Sequence, residues 1–142
     1  MNRGTIFAAC LAGALFATGM ARSEETVLSL RPVTSLQATR VKDGTTLMRG
    51  TVLNATPHAG FRLRLRCAGD GRVRGEACPL QGERNTTHRI QVAVMADDAQ
   101  RMPDGTVFIN TAEPSASFRI VAAGDQEVPA DSWRVMVTTS PR

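Results

Sequence analysis

Hydrophobic and polar positions alternate with period two along most of this chain. The cleanest run is Phe61-Arg62-Leu63-Arg64-Leu65-Arg66-Cys67, with four apolar side chains on one face and three arginines on the other. An antiparallel strand with one buried and one solvated face carries this pattern. His88-Arg89-Ile90-Gln91-Val92-Ala93-Val94 repeats it, with His88, Ile90, Val92 and Val94 predicted to face inward. Phe118-Arg119-Ile120-Val121-Ala122 and Trp133-Arg134-Val135-Met136-Val137-Thr138 do so again. Weaker strands are predicted over 27–30, 46–53 and 106–110. No segment after residue 22 holds a helical period for three turns. Turn chemistry separates the strands at Lys42-Asp43-Gly44, at 56–60, at Pro103-Asp104-Gly105, at Ala123-Gly124-Asp125 and at Pro129-Ala130-Asp131. About seven short strands at this spacing predict an all-β sandwich of immunoglobulin type. The irregular stretch from Gly69 to Arg84 is predicted to be a long edge connection.

The first 21 residues break the alternation. Asn2-Arg3 supply a positive start, an apolar run follows from Ile6 to Phe16, and small residues lead to Ala21. This is the layout of a secretion signal, and the run is well short of the roughly 20 residues a membrane span needs. Cleavage is expected after Ala21, following Gly19-Met20-Ala21, or after Gly19. Residues 22–142 then form a single exported domain, the length being enough for one. Cys10 leaves with the signal, and the stretch before it is too short to make Phe7-Ala8-Ala9-Cys10 a lipobox. Cys67 and Cys78 remain, and two cysteines in an oxidising compartment predict a structural disulfide that staples one hairpin or loop.

Charge and motif content narrow the function. The formal net charge is +4 over 142 residues, too mild for a nucleic-acid binder, whose basic residues dominate one face. His58 and His88 are the only histidines, and they sit at no metal-ligand spacing. There is no Gly-x-Ser-x-Gly, no phosphate-cradling loop and no catalytic carboxylate pair. No enzyme activity and no cofactor are expected.

The two ends suggest a binding mode. The first strand of the exported chain begins by Val27, leaving no N-terminal extension of the dozen or so residues that a donated strand requires. After Trp133 to Thr138 only Thr139-Ser140-Pro141-Arg142 follow, where a complete immunoglobulin sandwich needs another strand. An incomplete sandwich would leave a groove lined by Leu28 and Leu30 from the first strand and by Trp133, Val135 and Val137 from the last. Such an edge invites aggregation unless a partner adds a strand to it. The alternative is that these five are ordinary core residues of a complete small sandwich.

The order of the pieces carries a resemblance. Lys42-Asp43-Gly44, Gly50-Thr51-Val52 and His58-Ala59-Gly60-Phe61 resemble the first half of the Afa/Dr-type fimbrial invasins, the AfaD-like minor subunits. The similarity resumes at Thr87-His88-Arg89-Ile90-Gln91-Val92. It is clearest from Phe118-Arg119-Ile120 through Gly124-Asp125-Gln126-Glu127-Val128-Pro129 to Trp133-Arg134-Val135-Met136-Val137. It covers roughly 42–137, with a poor stretch over 69–84. The resemblance implies an incomplete immunoglobulin-like subunit lacking its final strand and completed by donor-strand complementation. It implies export through a periplasmic fimbrial chaperone and an outer-membrane usher, a strand donated at last by the major fimbrial subunit, and a place at the fimbrial tip on the cell surface. It also implies attachment to, or entry into, host cells through a receptor, integrins among them. That family commonly bridges its second and last strands by a disulfide; Asn54 and Pro141 stand at those positions here, which marks a divergent branch.

Receptor contacts are sought among exposed charges. Arg62, Arg64 and Arg66 line one strand face at about 6–7 Å spacing. They form either a basic stripe for acidic glycans or an acidic receptor, or a solvated face that discourages edge pairing. Asp70, between the two cysteines, is a candidate acidic contact, and Arg74-Gly75-Glu76 is the nearest approach to Arg-Gly-Asp. The rival function is a self-contained periplasmic β-sandwich that acts as an inhibitor or assembly factor for surface fibres.

Overall fold

The computed structural model describes residues 5–12, 15–16, 19–23, 26–33, 39–68 and 77–141, with side chains from residue 26 onward except at Thr39 and Pro141. Each alternating run becomes a strand whose apolar residues share one face. In chain order the strands are β1 (Thr5–Ala12), β2 (Leu15–Phe16), β3 (Gly19–Ser23), β4 (Thr26–Pro32), β5 (Thr39–Val41), β6 (Thr46–Asn54) and β7 (Gly60–Leu65). They continue with β8 (Cys78–Gln81), β9 (Arg89–Met95), β10 (Ala99–Arg101), β11 (Val107–Asn110), β12 (Ser115–Ala122), β13 (Gln126–Val128) and β14 (Ser132–Pro141). Among the described residues there is no helix.

One six-stranded sheet has the order β10-β11-β7-β14-β1-β2 and the other the order β3-β4-β6-β12-β9-β8. β5 and β13 form a separate two-stranded ribbon. The inward faces enclose one core, in which Trp133, Phe61, Phe118, Leu28, Leu30 and Ile120 are among the largest fully buried side chains. All seven predicted strands are present, most of them longer than their alternation suggests. The four additional strands beyond residue 26 are three or four residues long, too short for a periodic signal. β8 lies inside the stretch predicted as an irregular connection, and Cys78 and Leu80 are its only buried positions. Its Pro79 is tolerated because β8 is an edge strand.

The disulfide Cys67–Cys78 is formed, with the Cα atoms 5.3 Å apart. Cys67 follows β7 and Cys78 opens β8, and these strands belong to different sheets. The bridge therefore closes a crossover between sheets and not a hairpin. With a sequence separation of 11 it contributes about 3 kcal/mol in the chain-entropy picture. Ala68 N–H donates to the Pro79 carbonyl beside it at 2.8 Å.

Two turns that carry the family resemblance hold each other. Gly44 and Gly124 have φ of 82° and 95°, backbone that favours glycine. The Asp43 carboxylate accepts from Gly124 N–H at 2.7 Å, and Asp43 N–H donates to the Asp125 carboxylate at 2.8 Å. At Gly50 the need for glycine is one of space. Gly50 lies opposite Phe118 in the β6–β12 register, and a Cβ there would stand 2.2 Å from the buried ring. Gly50→Ala should therefore cost about 2–3 kcal/mol in urea unfolding. Phe118→Val in the same chain should recover part of that loss, because the two changes share one space. Additive losses would show that the ring does not cover the glycine.

Candidate functional site

β14 is the strand around which the candidate groove is built. On one side it pairs antiparallel with β7, from Val137 opposite Leu65 to Pro141 opposite Phe61. Its other side runs antiparallel to β1 over eight residues, from Thr5 opposite Thr139 to Ala12 opposite Ser132. Leu28, Leu30, Trp133, Val135 and Val137 all have zero exposure. Their shared inward position follows from β4 and β14 facing each other across the core. The strand beside β14 thus comes from the residues whose sequence reads as a secretion signal. Part of the same stretch, β3, pairs with β4 and carries both expected cleavage points, with Gly19 opposite Leu30 and Ala21 opposite Leu28.

The start of β14 is anchored by a residue the sequence presents only as part of a turn. Asp131 is buried, and its carboxylate accepts from the N–H groups of Arg84 at 2.8 Å, Asn85 at 3.1 Å and Ser132 at 2.6 Å. The His88 ring nitrogen Nδ1 lies 2.9 Å from it. Gly82 leaves the carboxylate its room, since a Cβ there would fall 2.1 Å from Asp131 Oδ2. This hub ties the β8–β9 turn to β14, as do Glu83 N–H donating to the Ser132 carbonyl and the Glu83–Arg134 ion pair at 3.4 Å. The Trp133 indole N–H donates to the Pro129 carbonyl at 3.3 Å, completing the anchorage.

Burial pushes the Asp131 carboxyl up, but the hydrogen bonds from Arg84, His88, Ser132 and Asn85 outweigh it and hold it at about 2. A folded value below the ordinary 3.8 stabilises the fold above that value, and the contribution is lost as the pH falls toward 2. The melting temperature should accordingly hold down to about pH 4 and decline from there. In Asp131→Asn the melting temperature should be lower at neutral pH and the acid limb shallower. An unchanged acid limb would show that Asp131 is not the group responsible.

The other sequence-derived candidates scatter. Arg64 and Arg66 are exposed, but Arg62 is half-buried with its guanidinium 5.2 Å from the centre of the Phe108 ring. The expected three-arginine stripe is therefore interrupted at Arg62. Asp70 and Arg74-Gly75-Glu76 lie outside the described residues. His58 holds its turn, with its ring nitrogens 2.7 Å from the Thr56 and Glu113 carbonyls. His88 is only half-buried because its ring turns to Asp131. Asn54, at a position where the resemblance expects a cysteine, is buried; its Nδ2 donates to Thr26 Oγ1 at 2.9 Å and its Oδ1 accepts from Thr56 N–H at 2.9 Å. A polar tie between β4, β6 and the following turn occupies that position. Among the described residues no group of three or more His, Cys, Asp or Glu could hold a metal ion.

A family model described as Enterobacteria AfaD invasin protein matches residues 37–139, from just before β5 nearly to the end of β14. The chain belongs to the AfaD invasin family. No curated protein sequence matches it. Among solved structures it is similar to the Salmonella SafD adhesin, at 30% identity and a TM-score of 0.74, with 82% of this chain and 84% of that one covered. The Escherichia coli Hda pilus minor tip subunit HdaB shares the fold at 18% identity and a TM-score of 0.71, covering 85% of this chain and 82% of its own. The AfaE-3 adhesin of Escherichia coli shares it at 13% identity and a TM-score of 0.62, over 100% and 96% of the two chains. The family and the fold are those of immunoglobulin-like fimbrial adhesin subunits.

Proposed function

We propose that the chain is a minor, tip-class subunit of a chaperone–usher fimbria or surface sheath and acts as an adhesin or invasin toward host cells. Residues 1–21 are its secretion signal, and residues 22–142 are an immunoglobulin-like domain that lacks its final strand. The observation that carries this reading is the eight-residue antiparallel pairing of β1 with β14. Loss of the signal removes β1, so one edge of β14 loses its backbone partners and Trp133, Val135 and Val137 lose their cover on that side. Strand addition restores both. The periplasmic chaperone supplies the strand first, the usher receives that complex, and the major fimbrial subunit then becomes the permanent donor. Leu28, Leu30, Trp133, Val135 and Val137 line the receiving groove.

The subunit so completed passes from the periplasm to the cell surface, where it meets a host receptor, with integrins as one receptor class. Two names support this setting: a minor tip subunit for HdaB and an adhesin for SafD. The test is thermal unfolding of residues 22–142, alone and with a donor strand from the neighbouring subunit fused at the C-terminus. A sharp, monomeric melt of the unfused domain that the fusion leaves unchanged would favour the self-contained periplasmic sandwich instead.

A further inference from the structure

The outer face of the second sheet carries an arrangement that folding alone does not favour. In the β4–β6 register Arg31 stands opposite Arg49, and in the β6–β12 register Arg49 stands opposite Arg119. Three arginines thus form a straight row across adjacent strands, about 5 Å from one to the next. Like charges directly opposite each other destabilise a sheet. No ion pair involves any of the three among the described residues, and Asp97 is the one acid that lines the same depression. Two residues along each strand a second row runs parallel to the first, with Ser29 opposite Thr51 and Thr51 opposite Ser117. The two rows line an open depression of about 480 Å³, flanked by the exposed Met95 opposite Arg119.

We propose that this face binds a sulfated polysaccharide, with Arg31, Arg49 and Arg119 holding its sulfates and Ser29, Thr51 and Ser117 its sugar hydroxyls. Guanidinium groups take oxyanions by paired N–H donors, and a regular row of them suits a polymer with regularly repeated sulfates. The hydroxyl row suits a sugar and offers little to a lipid. No aromatic ring in the depression is exposed for base stacking, as single-stranded nucleic acid would need. An extended peptide adds to a sheet edge, whereas this site lies on a sheet face. The row sits on the opposite sheet from β14, so a strand added there leaves it open. The inference rests on the adhesin reading for its setting and names the class of receptor.

The experiment is binding of the full chain to immobilised heparin. Arg31→Gln/Arg49→Gln/Arg119→Gln should weaken binding about thirtyfold, each exposed charge contact contributing roughly threefold. Arg64→Gln/Arg66→Gln/Arg84→Gln, which removes the same charge elsewhere, should stay within about twofold through loss of screened long-range attraction alone. Desulfated heparin and polyglutamate should fail to compete. Arg49→Thr separates binding from folding: it should raise the melting temperature by about 2 °C while binding falls, since it relieves two like-charge contacts. Equal weakening in the two triple variants would overturn the proposal. So would effective competition by desulfated heparin or polyglutamate, or a fall in melting temperature for Arg49→Thr. Each of these outcomes leaves the strand-addition test of the tip-subunit reading untouched.

Discussion

Residues 22–142 alone should be poorly soluble or melt low, and fusing a donor strand at the C-terminus should raise the melting temperature by roughly 20 °C. The reason is the β14 edge. With β1 absent, residues 132–139 lose the antiparallel partner on that side of β14, and Trp133, Val135 and Val137, which are fully buried with β1 in place, lose part of their cover. An added strand that covers several hundred Å² of apolar groove contributes on the order of 10 kcal/mol gross. Ordering the donor opposes this, and covalent fusion removes the cost of bringing two molecules together. About half of the gross gain surviving would produce the expected shift in a domain of this size. The full chain, in which β1 still pairs with β14, should melt between the two. If it melts no higher than residues 22–142, the β1–β14 pairing contributes nothing to stability.

Val135→Asp should abolish capture by the periplasmic chaperone, whereas Arg64→Ala should leave it intact. Val135 lies mid-way along the part of β14 that pairs with β1, with no exposure and opposite Ala9. A carboxylate there has no counter-ion within the core, and burying it would cost about 4–5 kcal/mol, the range in which small domains fail. Arg64 points to solvent from the neighbouring β7, so its truncation is close to neutral. Val135→Ala offers an intermediate case, with a cavity cost of about 2 kcal/mol and partial capture. Co-purification from periplasmic extracts reads all three. Normal capture of Val135→Asp would show that β14 is not the strand the chaperone engages.

Strand identity and facing were legible because both are local. Phe61-Arg62-Leu63-Arg64-Leu65 is a strand with buried Phe61, Leu63 and Leu65 whether or not its neighbours are known. The disulfide was legible from cysteine count and compartment, yet the sheets it joins were not, since that depends on where the chain crosses after Cys67. The Phe61–Cys67 alternation also placed three arginines on one face, and only the approach of Phe108 from β11 showed that Arg62 is covered. Asp131 reads as one more polar turn residue in Pro129-Ala130-Asp131. Its burial depends on a turn more than 40 residues away that aims its N–H groups at one carboxylate.

By itself the sequence determined the all-β class, the run of strands and the inward residues, and the ordered series of segments from Lys42-Asp43-Gly44 to Trp133-Arg134-Val135-Met136-Val137 carried the resemblance to the family. Side-chain alternation and turn chemistry act over a few residues, so they survive without knowledge of the rest of the chain. Tertiary structure decided which strands are neighbours and in what register. Only pairing between β4, β6 and β12 brings Arg31, Arg49 and Arg119 into one row, and only the register shows that the strand beside β14 is β1. A register is a relation between segments distant in sequence, settled by how their buried faces pack together, and no single segment contains it.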